Sequence, residues 1–317
     1  MKHWIAFSLA GLLLLTSSLR AQKADEDFAI QGEYVGDADT QDGKVKVGAQ
    51  VIALGDHKFQ VAGYFGGLPG DGWKPETQVG HAEGTLDNGS VTFTENKVTA
   101  TLKDGVMTVS NDGNPFATLK KVTRKSPTLG AKPPAGAKVL FAGKDQNDFP
   151  ADKVSSDGLL MQGVASKTKV QSCTLHLEFL LPFEPKGRGQ GRANSGCYLQ
   201  GRYEVQILDS FGLEGKDNEC GGIYTISAPA VNMCFPPMSW QTYDIDFTAA
   251  EFDATGKKIK NARMTVKHNG VLIQDNVEVP HDTTAAPNKE GPEAGPIYLQ
   301  DHGHPVRFQN VWLVEKK

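Results

Sequence analysis

No apolar run in this sequence is long enough to remain in a bilayer: the leading one, Trp4 to Leu15, falls short of the ~20 residues a spanning helix needs. No stretch carries the period of a long amphipathic helix, which leaves strands to build the fold. A basic cluster is also missing, and Asp and Glu together outnumber Lys and Arg by 37 to 33, a poor balance for a nucleic-acid binder. Strong internal repeats are absent, which argues against a repetitive structural surface protein. Cysteine is scarce. Cys173, Cys197, Cys220 and Cys234 are the four, all in the second half, so nothing near the N-terminus offers a thiol for a lipid anchor. The spacing of Cys220 and Cys234 is unlike a zinc knuckle, and no histidine falls between them. The glycines from Gly63 to Gly70 imitate a phosphate loop but lack the Lys-Ser/Thr pair and a following helix.

What is present begins with a leader. Met1-Lys2-His3 supplies a positive start, Trp4 to Leu15 an apolar middle, and Ser17-Ser18-Leu19-Arg20-Ala21 a small residue at a cleavage position, so residues 1–21 are expected to be a signal peptide. Its removal takes Lys2 and Arg20 with it and moves the formal charge from −4 to −6. The expected location is periplasmic or secreted, with no transmembrane segment in the mature chain. Export permits disulfides, and Cys220 with Cys234, bracketing a turn-rich segment of Gly, Ser and Pro, is the expected pair.

The mature chain divides in two. Residues 24–124 offer six short strands, Lys44–Leu54, Phe59–Tyr64, Glu83–Leu86, Ser90–Thr94, Lys97–Lys103 and Val106–Ser110. Asp104-Gly105 between the last two is a strong hairpin signal. A small antiparallel β domain, sandwich or barrel, is expected. Residues 125–137, with Pro127, Pro133 and Pro134, form a Pro/Gly linker expected to run extended outside either sheet. Residues 138–317 carry longer alternating strands. Cys173, Leu175, Leu177 and Phe179 oppose Thr174, His176 and Glu178; Tyr243, Ile245 and Phe247 oppose Asp244 and Asp246; Tyr203, Val205 and Ile207 oppose Glu204 and Gln206. The chain is therefore all-β, its second unit a large antiparallel sandwich. Arg202, Glu204 and Gln206 stand in one polar row suited to a polyhydroxylated ligand.

Four ordered motifs sharpen this. They are Asn194-Ser195-Gly196 through Asp209 with Asn218 to Tyr224; Trp240 to Phe247; Gly295 to Gly303; and Pro305 to Trp312. Together they resemble the 3-keto-disaccharide hydrolase domain, formerly a domain of unknown function, over the second unit only. The resemblance implies a concanavalin-like jelly-roll sandwich whose concave sheet holds a sugar, in exported proteins that cleave glycosides already oxidised to a ketone at C3. It leaves the first unit as an accessory region. The chemistry implied is removal of the C2 proton, expulsion of the aglycone from C1 and addition of water, a lyase–hydratase route to net hydrolysis. Such a site needs a base near C2, a positive group at the C3 oxygen and a proton donor at the leaving oxygen. Glu204 is the leading base, with Glu178 and His302 as further catalytic candidates. Arg202, Gln206, His176, Trp240, Tyr298 and Gln300 are the candidate substrate-binding residues, with Tyr224 behind them. A divalent cation could serve the enolate if His176, Glu178, Glu204 and His302 converge, but the sequence assigns no metal site. The substrate is expected to be a small oligosaccharide or glycoside, supplied through functional coupling to a sugar 3-oxidoreductase. Two other classes stay open: an ordinary glycoside hydrolase with paired carboxylates, and a non-catalytic carbohydrate-binding module.

Overall fold

The computed structural model describes residues 26–41 and 43–316, so the leader expected over residues 1–21 lies outside the described residues. In the first unit Asp104 and Gly105 take left-handed backbone, φ 49° and 75°, the conformation a two-residue hairpin turn requires. Val98–Lys103 accordingly returns as Val106–Asn111. Successive antiparallel pairings of this kind close into an eight-stranded barrel. Its order is Gly32–Thr40, Asn114–Val122, Val106–Asn111, Val98–Lys103, Ser90–Glu95, Val79–Asp87, Lys58–Phe65 and Gly43–Gly55, which pairs again with Gly32–Thr40. Alternation finds six of these. The other two, Gly32–Thr40 and Asn114–Val122, close the cylinder by pairing with each other. The first is broken by Gly36 and two aspartates, and the second by Pro115 and a register shift between Pro115 and Ala117, so neither reads as a clean strand. The short helix Glu26–Ile30 covers one end of the barrel. Ile30 packs on the barrel core and Asp27 Oδ1 lies 2.9 Å from His57 Nδ1.

The second unit is a sandwich of two sheets. The larger has seven strands, ordered Lys138–Phe141, Arg307–Glu315, Cys173–Leu180, Trp240–Thr248, Ala262–His268 and Val271–Val279, with Leu160–Met161 also pairing Arg307–Glu315. The smaller is ordered Val164–Val170, Gly295–Leu299, Ser195–Leu199 and Tyr203–Ile207. Between them lies one buried cluster. Leu175, Leu177, Phe179, Tyr243, Ile245 and Phe247 come from the large sheet; Cys197, Leu199, Tyr203, Val205, Ile207, Ile297 and Leu299 from the small one. Because side chains alternate, every other residue of each sheet must point to an outer face, and the two outer faces lie on opposite sides of the core.

The linker is strapped to the outer face of the large sheet. Ser126 and Thr128 hydroxyls meet Thr242 Oγ1 at 2.6 and 2.8 Å, and Thr128 also donates to Asp244 Oδ2 at 2.8 Å. The Gly130 N–H donates to Glu178 Oε1 at 2.6 Å, and Ala131 O accepts from Asn310 and Trp312. The barrel docks on the sandwich as well: Arg192 and Arg188 donate to the carbonyls of Ala53 and Leu54, and Ile52 joins the sandwich core.

All four cysteines are free, buried thiols. The expected Cys220–Cys234 disulfide is therefore corrected. The two thiols are both buried and no covalent bond joins them; Cys234 Sγ instead lies 3.5 Å from the carbonyls of Leu208 and Phe235. Cys220 Sγ lies 3.2 Å from Tyr243 Oη, whose hydroxyl donates to the Gln206 carbonyl at 2.6 Å. These partners order the turn-rich segment without a covalent link.

Candidate active site

Three strands of the small sheet set the site. Tyr298 pairs with Tyr198, and Tyr198 pairs with Glu204, so the three residues form one row across the outer face. The Tyr298 and Tyr198 rings are 5.6 Å apart at their centroids. The Tyr198 hydroxyl donates to Glu204 Oε2 at 2.7 Å, accepts from Gln300 Nε2 at 3.0 Å, and has Thr284 O as a second acceptor at 3.2 Å. Gly196, on the same face, makes room for the carboxyl: a Cβ there would lie 2.0 Å from Glu204 Oε1. The backbone of Gly196 is not left-handed, so space rather than conformation is what that glycine supplies.

Amides extend the surface along the strands. Gln206 Nε2 donates to Gln190 Oε1 at 2.9 Å, and Asn194 Nδ2 donates to Gln190 O at 2.9 Å. Asn194 Oδ1 is buried and finds no partner among the described residues. Two separate segments cover the free edge of the strand Tyr203–Ile207. The Glu204 N–H donates to Thr283 Oγ1 at 3.0 Å, and Tyr224 N donates to Glu204 O at 3.2 Å.

The electrostatics follow from this enclosure. Glu204 is 2% exposed. Burial pushes its carboxyl pKa up to about 8, and the hydrogen bond from Tyr198 only partly offsets it. Tyr198 and Tyr224 are raised in turn, first by burial and then by the Glu204 charge. When Glu204 ionises, Tyr198 can donate to it; when Glu204 is protonated, the same hydroxyl can turn its proton to Thr284 O. Either state is satisfied, so the group can change protonation without leaving a polar atom stranded.

The expected residues divide between two faces. Glu204, Gln206, Tyr298 and Gln300 come together around Tyr198. Arg202 stands beside them but braces a loop: it donates to Lys289 O at 2.7 Å, Glu293 O at 2.9 Å and Gln200 Oε1 at 3.0 Å. His176, Glu178 and Trp240 do not join the group. They lie on the outer face of the large sheet, across the sandwich core, so the candidate catalytic and binding residues do not share one face. His176 Nδ1 lies 2.6 Å from Asp244 Oδ1 and its ring stacks on Trp312 at 4.9 Å. Glu178 accepts from Gly130, Gln309 and Asn310. Trp240 shares the parity of Thr242 and Asp244 on the strand Trp240–Thr248. The convergence of His176, Glu178, Glu204 and His302 on a cation is corrected for the same reason. Among the described residues no group of three or more His, Cys, Asp or Glu is placed to hold a metal ion. His302 is exposed and stacks on His304, whose Nδ1 lies 2.5 Å from Glu184 Oε2. No hydrogen bond joins His302 to Glu204 among the described residues.

Tyr198, Asn194 and Gln190 were not singled out from sequence. Tyr198 carried a usable signal, since Cys197 and Leu199 alternate with it and it lies within the Asn194–Asp209 motif. Gln190 had none, for it lies outside every strand.

A family profile, the 3-keto-alpha-glucoside-1,2-lyase-like domain, matches residues 136–314. The chain belongs to this family. A solved structure of a candidate glycosyl hydrolase from Parabacteroides distasonis ATCC 8503 is 34% identical, with 58% of this chain and 85% of that one covered and a TM-score of 0.53. A second candidate glycosyl hydrolase from the same organism is 17% identical over 60% of this chain and 93% of its own, with a TM-score of 0.36. Among curated proteins, none matches. Family and likeness make this 3-keto-alpha-glucoside-1,2-lyase-like chain a glycosyl-hydrolase-like, carbohydrate-active protein with a β-sandwich fold.

Proposed function

We propose that this chain is an exported enzyme that opens 3-keto-glycosides by elimination, with Glu204 as the base that takes the C2 proton. The observation that carries the reading is a buried carboxyl with a pKa near 8, held by one tyrosine beside a row of amides and aromatic rings. An ordinary carboxylate is a weak base toward a carbon acid. Raising its pKa strengthens it as a base. The ketone at C3 acidifies the C2–H bond. Glu204 takes that proton, the electron pair forms the enolate, and the C1–O bond breaks as the aglycone oxygen leaves with a proton. Water added across the resulting double bond completes net hydrolysis. Tyr198, bonded to both Glu204 and Gln300, lies where it can steady Glu204 and hand on a proton. Tyr298 and Tyr224, half-buried, offer rings for the C–H face of a pyranose.

The substrate class implied is a small glycoside or oligosaccharide, and the ketone requires an oxidoreductase acting at C3 to supply it. Ordinary glycoside hydrolysis is the second reading, and it needs two carboxyls about 5–10 Å apart. Burial and Tyr198 account for the shift at Glu204 without help from another acid, which favours the single-base route. The test compares turnover of a 3-keto-glucoside with that of its unoxidised parent. Cleavage is expected for the ketone alone, slowed by deuterium at C2 and passing through a 2-hydroxyglucal-type product. Comparable rates on the parent would replace elimination by ordinary hydrolysis, and binding without turnover of either would leave a carbohydrate-binding module.

A further inference from the structure

The barrel is packed at one end and hollow at the other. Toward the turns Asp56-His57, Asn88-Gly89 and Asp104-Gly105 the inward positions are large: Val51, Phe59, Val91 and Leu102 fill the interior. The helix Glu26–Ile30 lies over that end, with Ile30 against the core. Toward the opposite end Ala49, Gly63, Gly80, Ala82, Ala100 and Ala117 leave room between larger residues such as Val47, Phe93 and Val109, and a cavity of about 350 Å³ opens among them. Two of the small residues are glycines paired side by side on neighbouring strands, Gly63 and Gly80. Neither is left-handed. A Cβ at Gly63 would meet only Gly80 O at 3.9 Å, and one at Gly80 only Glu95 Oε2 at 3.5 Å. The backbone does not require glycine there and the space would accept a side chain, so these residues keep the cup empty. Phe65 and Val98 stand at the mouth, 51% and 40% exposed, and continue the apolar lining out to the surface.

We propose that this cup is a second binding site, separate from the sandwich, for one small uncharged apolar molecule. An eight-stranded barrel is wide enough either to be filled by its own side chains or to hold one small ligand, and here one half does each. The volume is at the lower end of the ~300–1,000 Å³ usual for small-molecule pockets. The lining is mostly aliphatic and aromatic, with Gln78, His81 and Glu95 its polar members, and Glu95, the one acid among them, lies beside Gly80, which selects against an anionic head group. Such a ligand class includes the apolar aglycone of a glycoside, which would place the barrel beside the chemistry of the sandwich without sharing its residues.

The test uses the full chain and the uncharged probe N-phenyl-1-naphthylamine. Saturable fluorescence enhancement with one site per chain is expected, reversed by decan-1-ol. Gly63→Leu and Gly80→Val, which fill the cup, should each weaken probe binding at least tenfold while leaving cleavage of the 3-keto-glucoside unchanged. The sulfonated probe 1-anilinonaphthalene-8-sulfonate should bind at least tenfold more weakly than the uncharged one and gain on Glu95→Gln. No saturable signal in the wild type would overturn the site. So would undiminished binding in whichever filled variant keeps the wild-type melting temperature. Equal affinity for the two probes would overturn the charge selection.

Discussion

Glu178 and Glu204 occupy matching positions on the two outer faces of the sandwich, and both are almost completely buried, 0% and 2% exposed. Their protonation diverges because their partners do. Burial disfavours the Glu178 charge, but donors from His176, Asn310, Gln309 and the Gly130 N–H outweigh it and hold the carboxyl below the usual range. Burial disfavours the Glu204 charge too, and a single hydroxyl from Tyr198 fails to offset it, so its pKa rises. A carboxylate surrounded by four donors is a fixed anion that ties the linker to the sheet. A carboxyl given one donor and a face of amides retains a proton it can exchange. Burial alone does not make a base; the count of donors decides.

The comparison breaks most sharply at Glu204. Glu204→Gln keeps the shape and the bond to Tyr198 but cannot accept a proton, so turnover of a 3-keto-glucoside should fall by about 10²–10⁴ with binding little changed. In the wild type kcat should rise with pH as Glu204 ionises near 8. The stability effect has the opposite sense. A carboxyl raised from 4.5 to about 8 binds more protons folded than unfolded between those values, so it contributes a loss of stability as pH climbs through that window. Gln cannot ionise, so chemical denaturation should find the variant gaining on the wild type from pH 5 to 8.5. A variant with near wild-type kcat removes Glu204 from the base role.

Glu178→Ala should do the reverse. It leaves a buried His176 with one carboxylate fewer and strands the donors of Gly130, Gln309 and Asn310. Loss of one partner from a buried ionic cluster typically removes about 3–5 kcal/mol of stability. Activity per folded molecule should survive, because the sandwich core separates the two faces. The wild-type contribution of this cluster also has a window. Glu178, lowered, contributes above its ordinary 4.5 and loses that as pH falls through its folded value. His176 is held above its ordinary 6.5, since Asp244 and Glu178 outweigh its burial, and its contribution is complete below 6.5 and lost as pH rises through the folded value. The strap should therefore be firmest between about 4.5 and 6.5. A stable Glu178→Ala protein without turnover would put Glu178 back among the catalytic residues.

Why the sequence groups these two glutamates while the fold parts them is a matter of what period two encodes. Alternation says that His176 and Glu178 oppose Leu175 and Leu177, and that Glu204 opposes Tyr203 and Val205. It is silent on which sheet each strand joins, and a sandwich has two outer faces. The motif from Asn194 to Asp209 was legible as a site because its pair of strands carries Gly196, Tyr198, Glu204 and Gln206 on one face within a short span. Trp240 and His302 lay in recognisable motifs, but position in a motif does not fix the side of the sandwich or the reach of a loop. The strap on Glu178 was hidden for a different reason: its donors at Gly130, Gln309 and Asn310 come from segments over a hundred residues apart. In the barrel the hairpins were plain, and closure was not, because the closing pair joins the first strand to the last.

The smallest expected effect tests the shape of the site alone. Gly196→Ala suits a strand and its backbone, yet the new methyl would sit 2.0 Å from Glu204 Oε1 and 2.8 Å from its Cδ. The backbone pairing of Gly196 with Gln206 should hold, so the melting temperature should stay close to wild type while the carboxyl is pushed off Tyr198. Displacement of a catalytic group by about an ångström reduces rate by up to about 10², and a loss of ten- to a hundredfold in kcat is expected with KM less affected. The double variant Gly196→Ala, Glu204→Asp separates the causes. Aspartate is one methylene shorter and clears the methyl, so its penalty in the Ala background should be smaller than its penalty in the Gly background, a coupling that a remote disturbance of the sheet would not give. Additive losses, or a Gly196→Ala enzyme with wild-type kcat, would mean that the place of the Glu204 carboxyl beside Tyr198 is not the geometry in which the proton moves.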